Sequence, residues 1–262
     1  MSNSFKNILV STRDGVATVT INRPDKLNTL SRETLHELRE ATQVILEAGD
    51  VRTAIVTGVG EKAFCAGADV SELSKLDVSG AKAFAELGQG IFSMIESGGK
   101  PFIGALNGYA FGGGCELALA CGIRIASENA KLAQSEIKLG IITGFGGSQR
   151  LTRIVGKARA LELCLLGDAI DATTAREWGL VARVVPSARL MEEANAIASK
   201  LASYSPIAMK YTLEAIHRAA EAPLDEGLTY EASLFGLCFA TEDMKEGTSA
   251  FLQKRKPNFG GK

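Results

Sequence analysis

The chain has 262 residues, 46% of them hydrophobic and 23% charged, with a net charge of -1. That length suits one large domain with its own core. The near-neutral balance argues against a nucleic-acid footprint spread over the whole surface, while leaving room for a local basic pocket for phosphates.

The five cysteines, Cys65, Cys115, Cys121, Cys164 and Cys238, are scattered and odd in number, and no Cys-x-x-Cys pair occurs. They read as small buried thiols of a reducing compartment. The only histidines, His36 and His217, lie far apart in sequence. A His-based metal site or a Ser-His relay is therefore not expected. Met1 to Lys6 carries no apolar signal core, and no apolar run is long enough to span a bilayer. A cytoplasmic protein without membrane contacts is the expectation.

The first predicted element is a hairpin. Ile8 to Val10 leads into Asp14-Gly15, a tight-turn pair, and then into Val16 to Ile21. Arg23-Pro24 breaks the strand, Leu27 to Leu30 is a connection, and Ser31 can cap a helix. The helix follows from Leu35, Leu38, Ala41, Val44 and Ile45, which recur at helical spacing between Arg32 and Leu46. Ala54 to Gly58 is a short buried strand, followed by a glycine-rich loop through Gly60 and Gly67. A helix is predicted over Ala81 to Ile95, a buried strand over Phe102 to Leu106, a short apolar helix over Cys115 to Ala120, and a strand over Ile123 to Ala126. The alternation defines an α/β fold. Beyond Pro186 the patterns are helical only: Leu190 to Leu201, Pro206 to Ala219, Leu224 to Phe239 and Thr241 to Gln253. The expected organisation is a core over residues 1–200 and a helical region over 201–262.

Three stretches can carry chemistry. In Lys62 to Asp69 the small residues Ala66, Gly67 and Ala68 let a ligand approach the main chain, and Asp69 can cap the next segment. The alternative is a tight loop packed under a helix. In Asn107 to Glu116, Gly112, Gly113 and Gly114 open a helix, so free N–H groups and the positive helix end face whatever sits above. Glu116 falls in the first turn, as a capping carboxylate or as a functional acid in a buried helix. In Gln134 to Arg150, Glu136 by itself reads as a surface acid. The glycines here form neither a dinucleotide fingerprint nor a phosphate loop.

Taken together, Asn107 to Leu117 and Glu136 to Leu151 resemble the crotonase, or enoyl-CoA hydratase/isomerase, family, colinearly over nearly the whole chain. The resemblance implies a crotonase-like spiral of repeated ββα units with a C-terminal helical trimerisation region, commonly assembled into a hexamer of two trimers. It implies hydration of a 2-enoyl thioester of coenzyme A. Ala68 and Gly113 would supply the main-chain N–H pair that holds the thioester oxygen. Glu116 would act as base toward water and Glu136 as acid toward the α-carbon. Gly144 matches a glycine near the catalytic water. Lys26, Leu27 and Ala66 match positions around the adenine and the pantetheine arm, and Phe64, Gly67, Asp69 and Gly112 complete the substrate-binding set on that side. Phe235, Phe251 and Lys254 match positions that reach a neighbouring subunit's coenzyme. No metal or redox cofactor is implied; coenzyme A enters as part of the substrate.

Two positions depart from the hydratase pattern: Thr143, where proline is usual, and Phe111, where leucine is common. Both lie near the acyl pocket, for which Met94, Ile95, Ile141, Ile142 and Phe145 are candidate walls. Three other readings compete. A double-bond isomerase of the family needs mainly one carboxylate. A two-carboxylate glycosidase is short of sugar-stacking rings, with Trp178 the one tryptophan. An RNA-binding relative would rest on the basic tail Lys254 to Lys256 alone.

Overall fold

The computed structural model describes residues 5–262. Most of the Met1 to Lys6 stretch considered for a leader therefore lies outside the described residues. Strands β1 (Ile8–Arg13) and β2 (Val16–Ile21) form the hairpin, with Ile8 opposite Ile21 and Arg13 opposite Val16. Asp14 and Gly15 both take positive φ, +50° and +77°. A two-residue turn whose twist matches the strands requires that sign at both positions. Helix α1 (Arg32–Glu47) starts where Ser31 accepts a hydrogen bond from the Thr34 N–H. It buries Leu35, Leu38, Ala41 and Ile45.

The rest of the core repeats one unit three times. First come β3 (Thr53–Gly58), β4 (Ala63–Cys65), the short α2 (Val70–Leu73) and α3 (Val78–Ser97). Next come β5 (Phe102–Leu106), β6 (Tyr109–Phe111) and α4 (Gly113–Ala120). Last come β7 (Ile123–Ser127), β8 (Lys131–Ala133) and α5 (Gly147–Leu166), which breaks at Gly156, where φ is +79°. In each unit the first strand joins one sheet and the second strand joins another. With β9 (Ile170–Asp171) and, beyond α6 (Ala172–Glu177), β10 (Arg183–Val185), the sheets run β1-β2-β3-β5-β7-β10 and β4-β6-β8-β9. The chain thus winds as a spiral between two sheets. All pairings are parallel except β1 with β2 and β8 with β9.

The second strands of these units are only three residues long, too short to show a period of two. Helix α7 (Leu190–Ala202) packs Leu190, Ala194 and Ala198 onto Ile55, Ile103 and Ile125, covering one face of the large sheet. Helices α8 (Pro206–Ala219) and α9 (Leu224–Cys238) pack together, and α10 (Glu242–Leu252) follows. The last residues fold back so that the Lys262 carbonyl accepts from the Glu242 N–H at 2.7 Å. All five cysteines are free; Cys65, Cys115 and Cys121 are buried, and Cys164 and Cys238 are half-buried.

Candidate active site

The site grows from the ends of β4 and β6. After β4, residues 66–69 run beside residues 27–30. Ala66 N–H donates to Leu27 O, Gly67 O accepts from Leu30 N–H, and Asp69 N–H donates to Leu30 O. The Ala68 N–H is left outside this ladder. Gly113 opens α4, where a first-turn N–H has no partner within the helix. The two amides are neighbours: a methyl group at Gly113 would sit 3.4 Å from Ala68 N, and one at Gly67 would sit 3.8 Å from Gly113 N. Close packing makes this possible. A methyl at Gly114 would lie 1.9 Å from Cys65 O, so α4 meets β4 backbone to backbone.

Glu116, in the first turn of α4, is only 1% exposed. Its Oε1 accepts N–H bonds from Phe145 at 2.8 Å and Gly147 at 2.6 Å. Glu136 opens a short 3-10 turn, Glu136–Leu139, and its Oε1 lies 3.1 Å from where a Gly112 methyl would stand. Glu136 Oε2 is buried and has no partner among the described residues. Burial, with Glu136's negative charge next, pushes the Glu116 carboxyl up from 4.5 to about 7, against the two N–H bonds. Burial pushes Glu136 up as well. Gln134 is fully buried beside this pair, its Nε2 2.7 Å from a methyl placed on Gly147, and neither of its amide atoms has a partner among the described residues.

Both carboxyls and both amides face one cavity of about 640 Å³. Of the residues singled out in the sequence, Ala66, Gly67, Ala68, Gly112, Gly113, Glu116, Glu136 and Gly144 line it together. So do Ile141, Ile142, Phe145 and Thr143. Thr143 Oγ1 accepts from the Ser148 N–H at 3.0 Å, next to the start of α5.

Other expectations need correction. The Phe64 side chain points into the core and is 0% exposed, so it cannot touch a ligand in the cavity. The Asp69 carboxylate pairs with Arg23 at 3.0 Å and accepts from Ser71, capping α2 as its sequence position suggests. Ile95 belongs to the core, and Met94 does not line the cavity. Lys26 and Leu27 sit beside the cavity wall rather than in it, joined to it through the Leu27–Ala66 hydrogen bond. Phe235 on α9, Phe251 on α10 and Lys254 beyond it stand away from this chain's cavity, with both rings exposed.

The sequence reading missed one whole wall. Ala81, Lys82, Phe84, Ala85 and Gln89 of α3 line the cavity, beside Val70 and Leu73 of α2. It also missed the main-chain donors of Phe145 and Gly147. The Gly-Phe-Gly-Gly run was the available signal, since residues lacking bulk let N–H groups reach a buried acid.

A buried and a half-buried carboxyl, with two amides that have no partner among the described residues, surround one largely apolar cavity and suit an acid–base enzyme that stabilises negative charge developing on an oxygen. The enoyl-CoA hydratase/isomerase family model matches residues 11–262. The crotonyl-CoA hydratase of Syntrophomonas wolfei is 43% identical over 256 residues, which is 98% of each chain. The short-chain-enoyl-CoA hydratase of Clostridium acetobutylicum is 44% identical over 252 residues, 96% of this chain and 97% of that protein. The crystal structure of an enoyl-CoA hydratase from Bacillus anthracis superposes with a TM-score of 0.95 at 41% identity, covering 98% of this chain and 100% of that one. The chain belongs to the enoyl-CoA hydratase/isomerase family.

Proposed function

We propose that the protein is an enoyl-CoA hydratase, adding water reversibly and syn across the double bond of a trans-2-enoyl-CoA to give a 3-hydroxyacyl-CoA, in fatty-acid β-oxidation or related acyl-CoA metabolism. The observation that carries this reading is the contrast between the two carboxyls. Glu116 has one oxygen held by two amide N–H groups, which favours its ionised form and leaves Oε2 to take a proton from water. Glu136 has a buried oxygen with no partner among the described residues, and burial raises its proton affinity, which suits delivery of a proton to the α-carbon. One proton held between two like charges is a property of the pair.

The thioester oxygen sits between the N–H groups of Ala68 and Gly113, which stabilise the enolate as it forms; one such donor typically contributes about 2.7–4 kcal/mol. Gly144 lies beside the water. Leu27 and Ala66, bonded to one another at the cavity edge, and Lys26 next to them, carry the adenine and the pantetheine arm. Hydration is acid–base chemistry, so we assign it no metal or redox cofactor; coenzyme A arrives with the substrate.

We further propose a homohexamer of two trimers, with residues 201–262 as the assembling region and Phe235, Phe251 and Lys254 reaching a neighbour's coenzyme. Exposed Leu224, Leu228, Phe235, Phe239 and Phe251 on α9, α10 and the segment between support it. No helix among the described residues is long and apolar enough to cross a membrane; with the thiols free, we place the protein in the cytoplasm.

The test is loss of the ultraviolet absorbance of a conjugated short enoyl thioester. Its loss, with 3-hydroxyacyl product formed, is expected. Double-bond migration without net uptake of water would overturn the proposal in favour of the isomerase.

A further inference from the structure

We propose that one face of α3, with Gly88 at its centre, positions the Glu116 carboxylate by acting through the ring and main chain of Phe145. The proposal rests on the hydratase reading for its kinetic consequences, though not for its geometry.

Phe84, Gly88, Phe92 and Glu96 are spaced by four residues and share one side of α3. The Phe145 ring is 3% exposed and lies against this side, 5.3 Å from the Phe84 ring and 5.5 Å from the Phe92 ring. Gly88 makes the slot. A methyl there would stand 2.2 Å from Phe145 Cδ1 and 2.6 Å from both Cε1 and Cγ, distances that real Cβ atoms do not adopt. On the other side of the ring, a methyl at Gly113 would lie 3.1 Å from Cδ2 and Cε2. The ring therefore fills a gap between two glycines, one on α3 and one at the start of α4. Glycine weakens a helix interior, and the ring's need for space gives position 88 a physical reason for it.

The main chain of the same turn is held from the same helix. Gln89 Nε2 donates to Gly144 O at 2.8 Å. Arg150 Nη1 donates to Phe145 O at 3.0 Å, while its Nε and Nη2 donate to Glu96 at 2.8 Å and Ser93 at 3.3 Å. With ring and carbonyls fixed on the α3 side, the Phe145 and Gly147 N–H groups point the other way, to Glu116 Oε1. The other charged or titratable groups facing Glu116 are Glu136, Arg150 and the thiols Cys115 and Cys164. Lys82 of α3 and Lys138 line the same cavity, and Glu96 of α3 pairs with Arg150. Displacing Phe145 thus changes chiefly the N–H bonds.

The test compares Gly88→Ala, Gly90→Ala and the double variant Gly88→Ala with Phe145→Leu. Gly90 is on the same helix, and a methyl there meets nothing within 4 Å. Each protein is assayed with crotonyl-CoA across pH. The Glu116 carboxyl is also titrated without substrate by infrared difference spectroscopy, its band assigned by its loss in Glu116→Gln. Losing an N–H bond to a charged acceptor raises its proton affinity, so in Gly88→Ala the Glu116 titration and the acidic limb of kcat should move up by about one to two pH units. At pH 7, kcat should fall at least about tenfold with KM little changed, as expected when an interaction specific to the transition state is lost. Gly90→Ala should match wild type, and the double variant should regain most of kcat as the smaller side chain re-enters the slot. A Gly88→Ala protein with the wild-type titration overturns the proposal. Should Gly88→Ala fail to fold, Phe145→Leu alone decides, and a wild-type titration there overturns it equally. If wild type leaves enoyl thioesters untouched, the hydratase reading falls, while the infrared titration still judges the positioning role.

Discussion

Replacing Glu116 by glutamine removes a charge from a site that resists it. The carboxyl is raised by burial and by Glu136 from 4.5 to about 7. A shift from 4.5 to about 7 corresponds to about 3 kcal/mol at 1.36 kcal/mol per unit. A carboxyl whose folded pKa lies above its unfolded value contributes stability that is complete below the unfolded value. That contribution declines as pH rises and is gone above about 7. Wild type should therefore weaken across that window, and Glu116→Gln should not. At pH 5.5 wild type has lost about 1.4 kcal/mol of this contribution and at pH 8 all of it, so the stability gap in favour of the variant should widen by about 2 kcal/mol. Glutamine keeps an acceptor for the Phe145 and Gly147 N–H groups. The measurement is urea unfolding at both pH values and one fixed protein concentration, since assembly makes stability concentration-dependent. A gap that stays constant or narrows from pH 5.5 to pH 8 would refute the argument that Glu116 is strained by its charge. The same variant should lose about 10²- to 10⁴-fold in turnover.

Glu136→Gln should lose turnover on a similar scale, about 10²- to 10⁴-fold, with the fold intact by circular dichroism; near-normal rates in both single variants would end the two-acid mechanism. The free enzyme's kcat/KM should fall on the acid side with a midpoint near 7 as Glu116 takes up a proton. A profile flat from pH 5 to pH 9 would contradict this. Gly114→Ala would put a methyl 1.9 Å from Cys65 O and push α4 off β4. Its melting temperature should drop well below that of Gly60→Ala, which meets open space and carries only the strain of its positive φ.

Local chemistry was legible wherever neighbours in sequence decide the structure. Asp14-Gly15 announced the hairpin because few other pairs tolerate two positive φ values, and Ser31 announced the start of α1 because a hydroxyl there satisfies a free N–H. The family resemblance carried by residues 107–117 and 136–151 singled out both acids, where the residues alone left Glu116 open and made Glu136 a surface acid, and the glycines beside them marked where the main chain must come close to something.

What joins them is a matter of tertiary structure alone. Three-residue strands carry no period, so the second sheet, which stacks β4, β6 and β8 and thereby sets Ala68 beside Gly113, was invisible along the chain. The direction of Phe64 into the core, the capture of Asp69 by Arg23, and the wall supplied by α3 each depend on which element packs against which. The proton affinity of Glu116 depends on its distance from water, from Glu136 and from two amides, one 29 and the other 31 positions away in the chain. Sequence specifies which groups are present, but desolvation and charge coupling act through space, and only the folded chain sets those distances.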